Sequence, residues 1–292
     1  MQNPIQQLRE QGFTLIPGFF KKTEVAKAMK DIYQLAPTAQ ELAATPDRYP
    51  HIFEDTESTK FEFPYAGAQL NQMATHPRIL KLIEEILNAD DILLSRSCVW
   101  AKYGGGTDYE QALHLDYEGN TLVAPREDGD FRQVNAIIYY SDVPDVSCGP
   151  TYAVPLKHSK NAGMWPPHRY RLKEPALYKH EQPIFAKAGD LLLFSMSTFH
   201  RGSGLSDPAG SRYTHHLVYR SAKHAYTGHY LWAHFGEHGT LQNFITETTV
   251  AQRSAIGFPK PGDAYWNAAT LKAVAERYPG MDMGPYAKAA GK

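Results

Sequence analysis

The stretch Gly189-Asp190-Leu191-Leu192-Leu193-Phe194-Ser195-Met196-Ser197-Thr198-Phe199-His200 carries the reading of the fold. It opens on a turn signal, runs through four apolar residues and ends in a histidine at the far end of a strand. A second strand follows at 212–219, with Ser211-Arg212-Tyr213-Thr214-His215-His216 at its start. Upstream, 92–103 and 133–140 are short and rich in aromatic and β-branched residues. They are bounded by the turn signals Gly104-Gly105-Gly106 and Asp128-Gly129-Asp130. Further strands are expected at 151–154 and 183–186. Short strands at regular spacing predict a β-sandwich or barrel.

The first hundred residues have a helical texture. Pro4–Gln11 stops at Gly12, and Thr23 is expected to cap a helix with Val25, Met29, Ile32 and Tyr33 along one stripe. Residues 36–75 show no clear period and hold several prolines, so a long irregular segment is expected. Pro77 opens a further helix, with Ile79, Leu80, Ile83, Ile86 and Leu87 on one face. A last helix, Ala268–Arg277, carries Leu271 and Val274, with Tyr278 just beyond it. The expected organisation is a single domain over 1–292. It has a helical part to about 90, a barrel core to about 220, and an aromatic-rich C-terminal lid and helix.

Composition bounds the function. The chain has 292 residues with 30 basic and 31 acidic side chains, so nothing suggests a polyanionic partner, and nucleic acid is not expected. No apolar run approaches the length of a membrane span. The polar opening MQNPIQQLREQG does not read as a secretory signal. Cys98 and Cys148 are too few for a disulfide framework or a four-thiolate metal site, and a reducing cytoplasm is the natural setting. A monomer or homodimer with a small-molecule substrate is expected.

Gln111-Ala112-Leu113-His114-Leu115-Asp116 contains His-x-Asp. On a strand, residues two apart share a face, so His114 and Asp116 can present an imidazole and a carboxylate to one point. His200 is the best third ligand. Two imidazoles and one carboxylate with open positions form the facial triad of non-haem iron(II) oxygenases. Among 13 histidines, His-x-Asp arises often by chance, and a loop histidine beside a capping aspartate is the blander reading. Arg212, twelve residues after His200, changes the balance. A dicarboxylate needs a buried cation at its far end, and arginine offers a planar two-pronged donor. Arg212, Thr214 and His216 share one strand face, where Thr214 can add a hydroxyl donor.

Together these residues resemble the phytanoyl-CoA dioxygenase family. Gly12-Phe13-Thr14-Leu15-Ile16-Pro17-Gly18-Phe19-Phe20 is similar to its opening strand. Gly149-Pro150-Thr151-Tyr152-Ala153-Val154-Pro155-Leu156-Lys157-His158-Ser159 is similar to its proline-containing segment, with Leu156-Lys157 in place of the usual glycine. Ala188-Gly189-Asp190 before the apolar strand fits as well. The resemblance runs from about residue 8 to about 220. It implies a mainly β fold with flanking helices, a double-stranded β-helix (a jelly-roll, cupin-like barrel). It also implies Fe(II) on His114, Asp116 and His200, 2-oxoglutarate on Arg212, and O₂ as oxidant. Succinate and CO₂ would form with oxidation of the substrate, hydroxylation being the default outcome. Members that make natural products often carry Gln three residues before the first histidine and Thr at the start of the proline segment. Gln111 and Thr151 match as co-substrate contacts, and Lys102 on the preceding strand is a further candidate. Asp116 argues against halogenation, because halogenases of this superfamily lack the carboxylate ligand.

Other features weigh less. Histidines 215, 216, 224, 229, 234 and 238 match no metal spacing, so pocket-lining or surface roles are expected. Trp232, Phe235, Phe258, Tyr265 and Trp266 are expected to line or cover the pocket, with an ordinary aromatic core as the rival reading. The linear sequence has no basic cluster suited to an acyl-CoA, which points to a smaller or more apolar metabolite. Two rival functions remain open: a cupin-like hydrolase or isomerase using zinc or manganese, and a non-catalytic barrel module.

Overall fold

In a computed structural model the chain is described for residues 3–55, 58–63, 65, 67–89, 92–105, 110–125, 132–224, 242, 245–247, 249–250, 253 and 258–291. Nine strands are described: β1 (Phe13–Ile16), β2 (Lys60–Glu62), β3 (Ile92–Tyr103), β4 (Gln133–Tyr139), β5 (Thr151–Ala153), β6 (Gln182–Ile184), β7 (Leu191–Ser195), β8 (His200–Gly202) and β9 (Ser211–Ser221). They form a six-stranded sheet in the order β1-β7-β4-β9-β3-β2 and a three-stranded sheet in the order β6-β5-β8. Every pairing is antiparallel. The fold is thus the expected mainly β architecture with flanking helices, in two sheets and, among the described residues, without closure into one barrel.

Strand alternation decides what each face of the large sheet does. On β9, Tyr213, His215, Leu217 and Tyr219 point outward, while Arg212, Thr214, His216 and Val218 line the cleft toward the small sheet. The outer face packs on α1 (Pro4–Gln11), α2 (Lys22–Leu35), α5 (Ala68–Ala74) and α6 (Pro77–Leu87). Leu8, Val25, Ala28, Ile32, Leu70, Ile79 and Ile83 supply the helical side of that core. The Gly189-Asp190 turn is a clamp. Asp190 accepts hydrogen bonds from the backbone N–H groups of Gly18 and Lys187, both at 2.7 Å, and so holds the chain after β1 against the start of β7. Among the described residues no helix is long and apolar enough to cross a membrane.

Several local expectations change. Thr23 is not the cap of α2: the helix starts at Lys22, and Glu24 closes it by accepting from the Lys21 backbone N–H. Tyr33 is 45% exposed, and Ala28 takes its place on the buried stripe. The segment 36–75 is not irregular. It holds α3 (Ala39–Ala44), a 3₁₀ turn Pro46–Arg48, α4 (His51–Glu54), β2 and α5. Each piece is too short to show a period; the helices bury a few side chains, such as Leu42, Ile52 and Leu70, and the 3₁₀ turn and β2 bury none. The sequence did carry one signal there, the capping box of Thr38 and Glu41.

The C-terminal aromatics form a core of their own. Phe258, Tyr265 and Trp266 pack with Leu122, Val123, Val274, Tyr278 and Tyr286. None of these three lines the cleft between the sheets. The expected covering role therefore falls away for them, while Trp232 and Phe235 lie outside the described residues. What this core does is hold the chain just after Asp116. The fully buried Arg277 donates to the carbonyls of Glu118 and Thr121, and Tyr278 and Tyr265 donate to those of Leu122 and Ala124.

Candidate active site

The cleft between the sheets encloses about 180 Å³. Its floor is a set of cross-strand rows on the large sheet. Arg212 opposes Lys102, then Thr214 opposes Trp100, then His216 lies between Cys98 and Ile137, and Val218 lies between Arg96 and Asn135. From Arg212 to Val218 the strand advances about 20 Å at about 3.4 Å per residue.

His114 and Asp116 do not sit on a regular strand. His114 forms an isolated bridge, and Asp116 is the N-cap of α7 (Tyr117–Asn120) with helical backbone angles. Convergence comes from a different source. His114 and His200 exchange both backbone hydrogen bonds, at 2.8 and 3.0 Å, so their imidazoles stand side by side with ring centroids 4.4 Å apart. The chain then turns at Asp116 and brings its carboxylate back to both rings. Oδ1 lies 3.5 Å from Nε2 of His114, and Oδ2 lies 3.5 Å from Nε2 of His200. One ligand atom from each residue fits within a 4.8 Å group, which can hold a metal ion; among the described residues no other such group occurs.

The hydrogen bonds fix the tautomers. Nδ1 of His114 lies 2.9 Å from the Ala112 carbonyl, and Nδ1 of His200 lies 3.1 Å from the Thr198 carbonyl. A carbonyl oxygen only accepts, so both Nδ1 atoms carry the proton and both Nε2 atoms present a lone pair to the common point. The Asn135 amide donates to Oδ2 of Asp116 at 3.0 Å and orients it. The donor set, two neutral imidazoles and a carboxylate, suits a divalent first-row ion such as iron(II).

The electrostatics agree at Asp116 and His200 and favour the proton at His114. Burial favours the neutral acid at Asp116, but the charges of His200 and His114 outweigh it and hold the carboxyl well below its usual range. Burial pushes His200 down to about 4. At His114 burial works downward as well, yet the hydrogen bond and charge of Asp116 win and raise it.

The predicted co-substrate residues share the cleft with the triad. Gln111, Thr151, Lys102, Arg212 and Thr214 all line it. Arg212 is 6% exposed and Lys102 also 6%, so Lys102 is no solvent-facing strand lysine; its ammonium lies 4.7 Å from the Trp100 ring centroid. Gln111 accepts from the Gly202 backbone N–H at 2.7 Å, and a Cβ at Gly202 would come within 2.9 Å of that same oxygen. Gly149 has φ +65°, and a Cβ there would stand 3.1 Å from the Arg212 guanidinium. Both glycines let backbone approach a functional side chain. Thr214 shares a 3.0 Å hydrogen bond with His216.

Of the histidine-rich segment, His215 is structural. It is fully buried on the outer sheet face, with Ser97, Tyr65 and Tyr140 hydroxyls at 2.8, 3.0 and 3.1 Å. His216 lines the cleft and His224 contacts Arg132, whereas 229, 234 and 238 lie outside the described residues. Cys98 is buried in the cleft wall and Cys148 half-buried.

Sequence reasoning missed two features. Arg201, next to His200, is 2% exposed and pairs bidentately with Glu181 at 2.7 and 2.9 Å, with Glu110 at 2.6 Å and the Tyr152 ring beneath it. It ties β8 to the loops around it; only its place after the metal-type histidine marked it. Arg96 and Lys60 join Lys102 and Arg212 in lining the cleft, so a basic cluster absent from the linear sequence is made by the fold. The expectation of a more apolar metabolite loses its ground there.

Several solved structures share this architecture. The epimerase SnoN from nogalamycin biosynthesis, in complex with Fe³⁺, α-ketoglutarate and nogalamycin RO, aligns with TM-score 0.55 and 21% identity, over 77% of this chain and 86% of that one. The non-haem α-ketoglutarate-dependent carbocyclase SnoK gives 0.57 and 19%, over 75% and 83%. HygX from Streptomyces hygroscopicus, with nickel, 2-oxoglutarate and hygromycin B bound, gives 0.53 and 18%, over 75% and 86%. At these identities the likeness is one of fold. No curated protein matches the chain in sequence. The phytanoyl-CoA dioxygenase model matches residues 8–212, well over half the chain and nearly the span that the motifs marked out. The chain belongs to the phytanoyl-CoA dioxygenase family, whose enzymes use non-haem Fe(II), 2-oxoglutarate and O₂.

Proposed function

We propose that the chain is a dioxygenase that hydroxylates a small-molecule metabolite, with His114, Asp116 and His200 as metal ligands and Arg212 as the anchor of 2-oxoglutarate. The whole of 1–292 acts as one oxygenase domain in this reading. The observation that carries it is the pairing of two geometries in one cleft: lone pairs and a carboxylate converging at one point, and a buried guanidinium in the same cleft wall. Iron with its keto acid supplies the oxidising chemistry when bound. The protein's part is binding, orientation and exclusion of water. Arg212 takes the distal carboxylate, and Lys102 adds positive charge beside it. Gln111, Thr151 and Thr214 offer hydrogen bonds along the co-substrate. Asn135 holds the Asp116 carboxylate toward the metal point. Ile137, Phe194 and Val218 give the cleft apolar walls that keep water from the reacting carbon.

A zinc- or manganese-dependent hydrolase would use the triad but has no role for Arg212, Lys102 and Gln111 as a set. A binding module needs no triad at all. SnoN is an epimerase and SnoK a carbocyclase, and hydroxylation is the simplest of the three outcomes. Purified protein with Fe(II), 2-oxoglutarate and O₂ but no substrate is expected to release succinate slowly, and His200→Ala to abolish it. Well-folded, iron-loaded protein that forms no succinate and binds no 2-oxoglutarate would refute the reading.

A further inference from the structure

The fold sets a third imidazole beside the metal point. His114 pairs with His200 on one edge of its short extended piece, and Leu113 pairs with Arg169 on the other, where the Arg169 N–H donates to the Leu113 carbonyl at 2.7 Å. His168 therefore stands next to His114, with ring centroids 5.6 Å apart and planes within 18°. Of the three side chains in this row, His168 is the most open, at 43% exposure against 16% for His114 and 9% for His200. Glu118, two residues after Asp116, sets its carboxylate 3.6 Å from Nδ1 of His168.

His168 and Glu118 line a chamber of about 480 Å³ that shares no lining residue with the cleft. The cleft, at about 180 Å³, falls below the roughly 300–1,000 Å³ of small-molecule sites, and it already holds the triad and the co-substrate residues; the chamber falls inside that range. The chamber wall is a loop held from within. Arg169 commits its guanidinium to the loop itself, donating to the carbonyls of Ala162, Gly163 and Trp165 over the Phe199 ring. The Tyr178 hydroxyl accepts from the Leu113 N–H and donates to the Arg169 carbonyl, and Tyr117 donates to the carbonyl of Met164. Burial alternates along 167–170, so Pro167 and Arg169 turn inward while His168 and Tyr170 turn outward. Tyr170 and the half-buried Trp165 thus give the chamber two aromatic side chains. Among the described lining residues, Glu118 and Glu174 balance Arg169 and Lys173, so apart from His168 the formal charges cancel.

We propose that this chamber takes the primary substrate, an uncharged compound with a flat ring for Trp165 and Tyr170 and a hydroxyl for His168 and Glu118. This rests on the oxygenase reading above and adds to it a substrate class and a place of binding. The ring leaves water for aromatic faces, which favour offset or edge contacts. The hydroxyl donates to the Glu118 carboxylate or accepts from His168, and so fixes which carbon turns toward the metal point beside His114. The balanced lining gives an anion no advantage, and the buried Glu118 carboxylate works against one.

The test is anaerobic calorimetry on protein saturated with Fe(II) and 2-oxoglutarate. The probe is phenyl β-D-glucoside, which is uncharged and carries both a flat ring and hydroxyls. Methyl β-D-glucoside lacks the flat ring, and phenyl phosphate carries charge. Phenyl glucoside is expected to bind about tenfold more tightly than either control. Trp165→Ala, Tyr170→Ala and His168→Ala are each expected to weaken it about threefold to tenfold, and His168→Gln by less, with iron and 2-oxoglutarate affinities within about twofold of wild type. With Mn(II) in place of iron, the protons of the bound probe should relax faster than with Zn(II), because the chamber adjoins the metal point. Four results overturn the proposal: no binding of phenyl glucoside to the loaded wild type, equal binding of either control, wild-type binding by all the variants, or equal relaxation with the two metals. Tyr170 is 58% exposed, so its alanine variant tests the chamber without disturbing the fold. Should wild-type protein bind neither iron nor 2-oxoglutarate, the oxygenase reading itself falls, a failure seen before any probe is added.

Discussion

Replacing Arg212 by alanine removes a guanidinium that is 6% exposed and wedged against the backbone of Gly149. A buried, charge-assisted, two-pronged pair with a carboxylate contributes about 2–5 kcal/mol. The low exposure of Arg212 leaves little water to screen it, so the upper half of that range applies. Binding of 2-oxoglutarate should therefore weaken by about three hundredfold to several thousandfold, at about 1.4 kcal/mol per factor of ten. Arg212→Lys keeps the charge and loses the fork, and should fall between wild type and alanine. Metal binding should change little. The triad is positioned by the His114–His200 backbone pair and by Asn135, whose row on the sheet is three cross-strand rows from that of Arg212. The assay is calorimetric titration of 2-oxoglutarate into anaerobic iron-loaded protein, alongside a metal titration of each variant. Unchanged 2-oxoglutarate affinity in folded Arg212→Ala would refute the anchor. Loss of metal and co-substrate together would point to collapse of the cleft.

Three further outcomes follow from packing and charge. Glu181→Gln leaves Arg201 buried with only Glu110 as a carboxylate partner, and should lower unfolding free energy in urea by about 3 kcal/mol; a change below about 0.5 would mean that the pair contributes nothing. Trp266→Ala removes a side chain from the C-terminal core and should cost about 3–5 kcal/mol, with 2-oxoglutarate affinity of the folded fraction unchanged; a specific loss of affinity would restore a pocket role for Trp266. His215 is buried neutral, and burial pushes its pKa down to about 3, whereas the unfolded chain takes up the proton near 6.5. No penalty exists above that pH; below it the unfolded state gains, by about 1.4 kcal/mol per unit until pH 3. His215→Gln, although less stable at neutral pH, should lose that part of the slope between pH 6 and 4, and parallel stability profiles would contradict the assignment.

What the sequence revealed and what it hid have distinct physical causes. The strands of the large sheet were legible because β4 and β7 are buried on both sides and read as apolar runs. Arg212 was legible because its neighbour His200 fixed its context. His114 and Asp116 were named for a reason that the fold replaces: a shared strand face was expected, and a backbone bridge plus a helix cap brings them together. The place of Arg96 in the cleft was invisible because it depends on the pairing of β3 with β9, a relation that no local spacing encodes. The aromatics of 258–286 carry no mark of whether they face the cleft or each other; the hydrogen bonds of Tyr265, Arg277 and Tyr278 to 118–124 decide for the latter.

The most direct test of the account is an anaerobic titration of the metal-free protein with Fe(II), followed by 2-oxoglutarate. One iron is expected to bind per chain, with a weak visible charge-transfer band that saturates at one 2-oxoglutarate per iron. In His200→Ala the iron affinity should collapse, and in Arg212→Ala iron should still bind while the band needs far more 2-oxoglutarate. Folded wild-type protein that takes up no iron, or takes it up and gives no band with 2-oxoglutarate, would contradict the central claim.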